Sequence, residues 1–198
     1  MGKAFTEEEK IIIKEKIKTE CYHLFLEKGI KKTNIEDITI RVGIAKGGFY
    51  SFYKNKEEVL YDLIDDDMEQ QIMNALSHLD ESHKNPKETL YEIIRHHCKH
   101  MRDRKAIWMK EPDIMEILSR KSIKDNLYTA ERNREVLQKY REFWLQQGSI
   151  KSMDLEKLLC LFYMSEVIYI NREYVNSEEF DIVFEQIIKQ MIDKYIKL

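Results

Sequence analysis

Two prolines and six glycines are all that punctuate 198 residues, and long stretches hold neither. A many-stranded fold needs a turn every few residues, so this scarcity argues against β architectures and favours long helices. The apolar spacing agrees. Ile13, Ile17, Cys21, Leu24 and Phe25 recur at three- and four-residue intervals, which lays them on one helical face. Thr6 with Glu9 three residues later forms a capping box at its start, and Lys28-Gly29 closes it. Hydrophobic residues at 43% and aromatics at 11% suffice for a buried core. The expected fold class is all-α.

The same logic places the other elements. Thr33, with Glu36 in the reciprocal position, is expected to cap a second helix whose stripe is Ile35, Ile38 and Val42 and which Gly43 ends. A short third helix is expected from Lys46 to Tyr53. Asn55 with Glu58 caps a longer fourth, carrying Leu60, Leu63, Ile64, Met68, Ile72, Leu76 and Leu79. Asn85-Pro86 opens a fifth, with breaks expected near Arg104 and at Glu111-Pro112. A long helix then runs over about 122–147 to Gly148, followed by helices over about 154–174 and 177–195. The last two are apolar on more than one side, the pattern of helices with more than one neighbour.

Net charge is −3, which excludes a generic polyanion binder, but the distribution is uneven. Between Lys28 and Lys56 seven basic residues face only Glu36 and Asp37; the stretch Glu57 to Glu69 then holds seven acids and no base. This reads either as a local phosphate-binding face or as two oppositely charged solvated faces. Cys21, Cys98 and Cys160 are odd in number, far apart and without a CxxC, which fits reduced thiols packed on helices; a redox-sensing role is the alternative. No signal peptide and no apolar run of membrane-spanning length is evident, so a soluble cytoplasmic protein is expected.

Function concentrates in residues 35–53. Two short helices joined by a tight turn at Gly43-Ile44 have the dimensions of a helix-turn-helix. The second is polar on one side and too short for a core helix, and an α-helix fits the major groove. Phe49 and Phe52 can pack inward while Lys46, Gly47, Tyr50 and Ser51 face outward, and Lys54 and Lys56 stand at the positive start of the next helix. Here the chain resembles the tetracycline-repressor (TetR) family of bacterial regulators. The resemblance rests on ITIRVGIAKGGFYSFYKNKEEVL, residues 38–60, with Phe25, Gly29, Thr33 and Ile35 upstream, about the first quarter to third of the chain.

That resemblance implies a helix-turn-helix DNA-binding domain over 1–54 and a helical effector-binding and dimerisation domain over 55–198. It implies a homodimer paired through its last two helices on a pseudo-palindromic operator in double-stranded DNA, a repressor released by a small-molecule effector. Thr33 is expected to touch phosphate; Lys46, Gly47, Gly48 and Tyr50 to lie against the groove; Tyr53, Lys54 and Lys56 to lie on the backbone. Two departures stand out. Ala45 replaces the usual Ser, removing a side-chain cap worth ~0.5–2 kcal/mol. Gly48 stands where a Thr or larger residue is common, and each glycine lowers helicity by roughly 1 kcal/mol against Ala.

In the C-terminal part, His97, Asn126 and Glu166 are polar residues on apolar faces and the first anchors to consider for an effector. Trp108, Met109, Tyr128, Phe143, Trp144, Phe162 and Tyr163 are large groups that suit either a pocket or a core. His96 and His100 share the i, i+4 spacing of metal ligands but no third ligand is evident, so no metal and no cofactor is expected. No GxSxG, P-loop, HExxH or Rossmann glycine pattern occurs, and an enzyme is not expected. The alternative is a helical DNA-binding protein without an effector, regulated by abundance or a protein partner.

Overall fold

The structure, a computed structural model, describes residues 5–108, 117, 123–175 and 178–198; for 104–108 and 123–130 it describes the backbone. The chain divides into two compact units, Met1–Glu69 with Ile107–Arg120, and Gln70–Ala106 with Lys121–Leu198. The helices are α1 (Glu7–Lys28), α2 (Ile35–Val42), α3 (Lys46–Phe49), α4 (Lys56–Leu76), α5 (Pro86–Trp108), α6 (Ile123–Gln146), α7 (Leu155–Ile170) and α8 (Phe180–Tyr195). The described residues are overwhelmingly helical, as the apolar periods require.

In the first unit Ile17, Cys21, Leu24 and Phe25 of α1 pack against Ile38 of α2, Phe49 of α3 and Leu60 of α4, all fully or almost fully buried. Thr6 and Glu9 form the reciprocal cap of α1: the Glu9 amide donates to Thr6 Oγ1 at 3.2 Å and the Thr6 amide to Glu9 Oε2 at 2.8 Å. The cap of α2 is one residue later than the sequence suggests. Asn34 and Asp37 exchange the two bonds, at 2.8 and 3.3 Å. Thr33 is instead drawn inside, its hydroxyl donating to the carbonyls of Gly29 (2.8 Å) and Leu24 (3.3 Å). It closes the end of α1, where carbonyls lack helical partners.

The second unit buries a larger core. Leu90, Ile94 and Cys98 of α5 meet Tyr140 and Trp144 of α6, Leu158 and Phe162 of α7, and Phe184, Ile188 and Ile192 of α8. α5 runs unbroken past Arg104, where an interruption was expected: Arg104-Lys105-Ala106 contains no proline or glycine, and charge alone does not end a helix. The expected break at Glu111-Pro112 lies outside the described residues. Two short strands, β1 (Ser152–Met153) and β2 (Ile196–Lys197), pair antiparallel and tie the chain end to the α6–α7 connection. Such a two-residue ladder leaves no periodic signal in the sequence.

Candidate functional site

α2 and α3 meet at a tight corner. Gly43 adopts φ 80°, ψ 35°, a left-handed conformation that costs glycine nothing. Its amide and that of Ile44 both donate to Thr39 O, at 2.9 and 3.0 Å, and Lys16 Nζ donates to Val42 O at 2.8 Å. These bonds satisfy the last carbonyls of α2 and aim the chain into α3. Phe49 is completely buried and Phe52 half-buried, while Lys46, Gly47, Tyr50 and Ser51 are exposed. An outward polar face on a helix anchored by its inward aromatics is therefore present. Tyr50 is 54% exposed, its ring edge-on to Phe49 at 5.7 Å.

α3 is shorter than the residues 46–53 expected. Its helical part ends at Phe49, and the Ser51 and Phe52 amides reach back only three residues, to Gly48 O (3.2 Å) and Phe49 O (2.9 Å). The cause is local: Ala45 offers no side-chain cap, and two glycines follow Lys46.

Two expected phosphate contacts, Thr33 and Tyr53, need correction, and Lys56 has partners within the protein. Thr33 is 1% exposed with its hydroxyl committed inward, so it neither caps α2 nor faces outward. Tyr53 is 5% exposed and donates to Asp62 Oδ2 at 2.6 Å, while Lys14 Nζ lies 5.6 Å above its ring and 2.8 Å from the same carboxylate. Burial pushes the Asp62 carboxyl up, but the bonds from Lys14 and Tyr53 outweigh it and hold it below the usual carboxylate range. Lys56 Nζ donates to the carbonyls of Thr33 (2.7 Å) and Lys31 (3.1 Å), a clasp on the α1–α2 connection. Lys54 remains outward, with Glu58 3.7 Å away.

The basic surplus of this segment is also smaller than its sequence count. Arg41 holds Glu27 of α1 in a bidentate pair at 3.0 and 2.6 Å, Lys28 pairs with Asp37, and Lys46 reaches Glu36 at 2.9 Å. The Lys46–Glu36 pair is open to solvent and so is easily exchanged for phosphate.

In the second unit, His97 Nε2 lies 3.0 Å from Glu166 Oε2, and its ring lies against Phe162, tilted by 36° with centroids 4.4 Å apart. Tyr163 stands edge-on to Phe162 at 5.9 Å and takes a bond from Asn133 at 3.4 Å, a residue sequence reasoning missed because it lies on a polar stretch of α6. These candidates come together; Phe143 and Trp144 do not join them. Trp144 is fully buried against Tyr140, its Nε1 donating to Ser82 Oγ at 2.6 Å, and is a core residue; Phe143 lies beside His83. Met109 and the side chains of Trp108, Asn126 and Tyr128 lie outside the described residues. Among the described residues no three of His, Cys, Asp and Glu gather as a metal site.

Residues 22–63 match the family model described as bacterial regulatory proteins, tetR family. Over these residues, in its N-terminal part, the chain is similar to the TetR family. Against YerO, an uncharacterized HTH-type transcriptional regulator of Bacillus subtilis (strain 168), it is 34% identical over 94 residues, 46% of this chain and 32% of that protein. The match thus spans about a third of that relative's length. The fold extends further than the sequence likeness. A TetR-family regulator structure from Mesorhizobium loti superposes with TM-score 0.60 at 14% identity, covering 98% of this chain and 100% of the other. RolR, solved in complex with resorcinol, gives TM-score 0.54 at 19% identity, covering 95% and 91%.

Within this TetR fold, α7 and α8 carry a surface that their own unit leaves uncovered. Cys160, Met164, Val167 and Ile168 are exposed at helical spacing along α7, as are Ile182, Val183 and Ile187 on α8. The opposite face of α8 is fully used: Phe180, Phe184, Ile188 and Ile192 are buried. Cys160 was expected to pack like the other two thiols, but it belongs to the exposed stripe. Among the described residues no helix is long and apolar enough to cross a membrane.

Proposed function

We propose that this chain is a transcriptional repressor that binds a pseudo-palindromic operator in double-stranded DNA as a homodimer and leaves it on binding a small-molecule effector. The observation that carries the reading is the α2–Gly43–α3 corner, with Phe49 buried beneath an outward face of Lys46, Gly47, Tyr50 and Ser51. That face has the size and polarity of a major-groove reader. The DNA-reading residues are Lys46, Gly47 and Tyr50, with Lys54 on the backbone. We assign DNA binding to residues 1–54, effector binding and dimerisation to 55–198, no catalytic step, and a cytoplasmic location beside the DNA.

The uncovered apolar stripes of α7 and α8 support pairing through the last two helices, since monomers rarely expose contiguous apolar surface of this kind. The His97–Glu166 pair against Phe162 supports an effector site, because polar anchors among aromatics are what such sites use. RolR, which shares the fold, binds resorcinol in its structure, and that likeness also favours a small planar effector here. The test is selection of duplexes from a random-sequence pool by the wild-type chain, followed by sedimentation of the complex. Enrichment of inverted half-sites bound by two chains per duplex is expected. A pool that stays random after repeated rounds would defeat the reading.

A further inference from the structure

Resting on the DNA-binding reading above, we propose that Gly48 is an affinity-limiting position: it touches no DNA, and by keeping the recognition segment short it holds operator binding below what the fold allows. Neither Gly47 nor Gly48 has positive φ, so the backbone does not demand glycine at either. Space does not demand it either. A Cβ on Gly48 would meet Ile44 Cβ at 3.7 Å and Ile44 Cδ1 and Phe5 Cε2 at 3.8 Å, ordinary van der Waals contact. Those neighbours are the protein's own apolar side chains, and Phe5 also lies 6.0 Å from the Phe52 ring. Position 48 therefore faces inward.

Position 47 faces the other way. A Cβ there would meet nothing within 4 Å, and its neighbours one turn on, Tyr50 and Ser51, are exposed. The two adjacent glycines thus share one cost in helicity, but only position 48 looks onto the protein's own side chains. Together with the uncapped Ala45 they leave α3 with four helical residues, followed by two three-residue turns and a single four-residue bond, from the Tyr53 amide to Phe49 O at 3.1 Å. A segment that is only partly in its binding form shows an affinity reduced by that fraction, and a change that pre-organises it recovers the loss. Alanine at 48 pre-organises without entering the DNA face. Alanine at 47 pre-organises equally but puts a methyl where the DNA comes.

The test measures anisotropy of a fluorescein-labelled duplex enriched by the wild-type chain, with Gly48→Ala and Gly47→Ala alongside, and thermal melting of each free protein. Both variants are expected to melt at or above wild type. Gly48→Ala is expected to bind about fivefold tighter, the factor that one glycine-to-alanine helix preference converts to. Gly47→Ala is expected to bind about tenfold weaker or worse. Weakened binding by Gly48→Ala with a preserved melting point would make Gly48 a DNA contact and overturn the proposal. Unchanged binding with a raised melting point would also overturn it, since helix length would then not limit affinity. A lowered melting point for Gly48→Ala would contradict the packing argument. If wild type itself enriches no duplex, the DNA-binding reading fails first and takes this inference with it.

Discussion

Tyr50 and Tyr53 stand three residues apart and face opposite worlds. Tyr50 projects from α3, whereas Tyr53 is buried and bonded to Asp62. A phenol bonded to a carboxylate is a charge-assisted pair, so Tyr53→Phe should cost about 1.5–3 kcal/mol of stability. Operator affinity measured well below the melting point should be unchanged; a loss of affinity without a loss of stability would return Tyr53 to the DNA backbone. Asp62 adds a pH signature. Its folded pKa is depressed, so its contribution is present above the unfolded carboxylate value and is lost as pH falls through the folded one. The gap in melting temperature between wild type and Asp62→Asn should be full at neutral pH and close as pH falls below about 4. A gap that widens on acidification would show that Asp62 is not held as a carboxylate. Cys21 and Cys98 are a simpler case, since burial pushes both thiols up to about 12. A thiol reagent at neutral pH should spare both in the folded protein.

At the level of elements, the Gly43 corner sets the angle at which α3 leaves α2. A Cβ there meets nothing, so Gly43→Ala tests conformation alone and should cost about 1–2 kcal/mol through left-handed strain. Gly43→Asn should cost less, because asparagine tolerates that region. Equal melting of all three proteins would remove the corner from the account. This corner was legible in the sequence, as were the Thr6–Glu9 cap and the inward Phe49, because each depends on residues within a turn of one another. What could not be read was which of two overlapping signals prevails. Thr33-x-x-Glu36 and Asn34-x-x-Asp37 both spell a capping box, and the choice is made by the Gly29 and Leu24 carbonyls, which recruit the Thr33 hydroxyl. The same holds for Lys56, Arg41 and Tyr53, whose partners lie 25, 14 and 9 residues away. In the second unit the apolar pattern announced a core but did not sort it: Trp144 and Phe162 look alike in sequence, and only packing puts one beneath Ser82 and the other beneath His97.

On the scale of the whole molecule, the proposed repressor is a dimer, and we propose the exposed apolar stripes on α7 and α8 as its interface. Val167 is exposed at the centre of the α7 stripe, so Val167→Arg should leave the fold intact and yield a monomer by sedimentation at micromolar concentration. A variant that still sediments as a dimer would move the interface elsewhere. Cys160 lies on the same stripe and offers an independent readout, as its alkylation should be slow at high protein concentration and fast in the Val167→Arg variant. In the proposed dimer, two half-sites read together would let a reading face of so few residues, with a basic surplus trimmed by Arg41–Glu27 and Lys28–Asp37, hold an operator. Whether this face reads DNA is decided by titrating a wild-type-enriched duplex with wild type and with Tyr50→Ala at two salt concentrations. Saturable binding that weakens with salt is expected, and its loss in Tyr50→Ala with the melting temperature unchanged. Equal binding by the two proteins would contradict it.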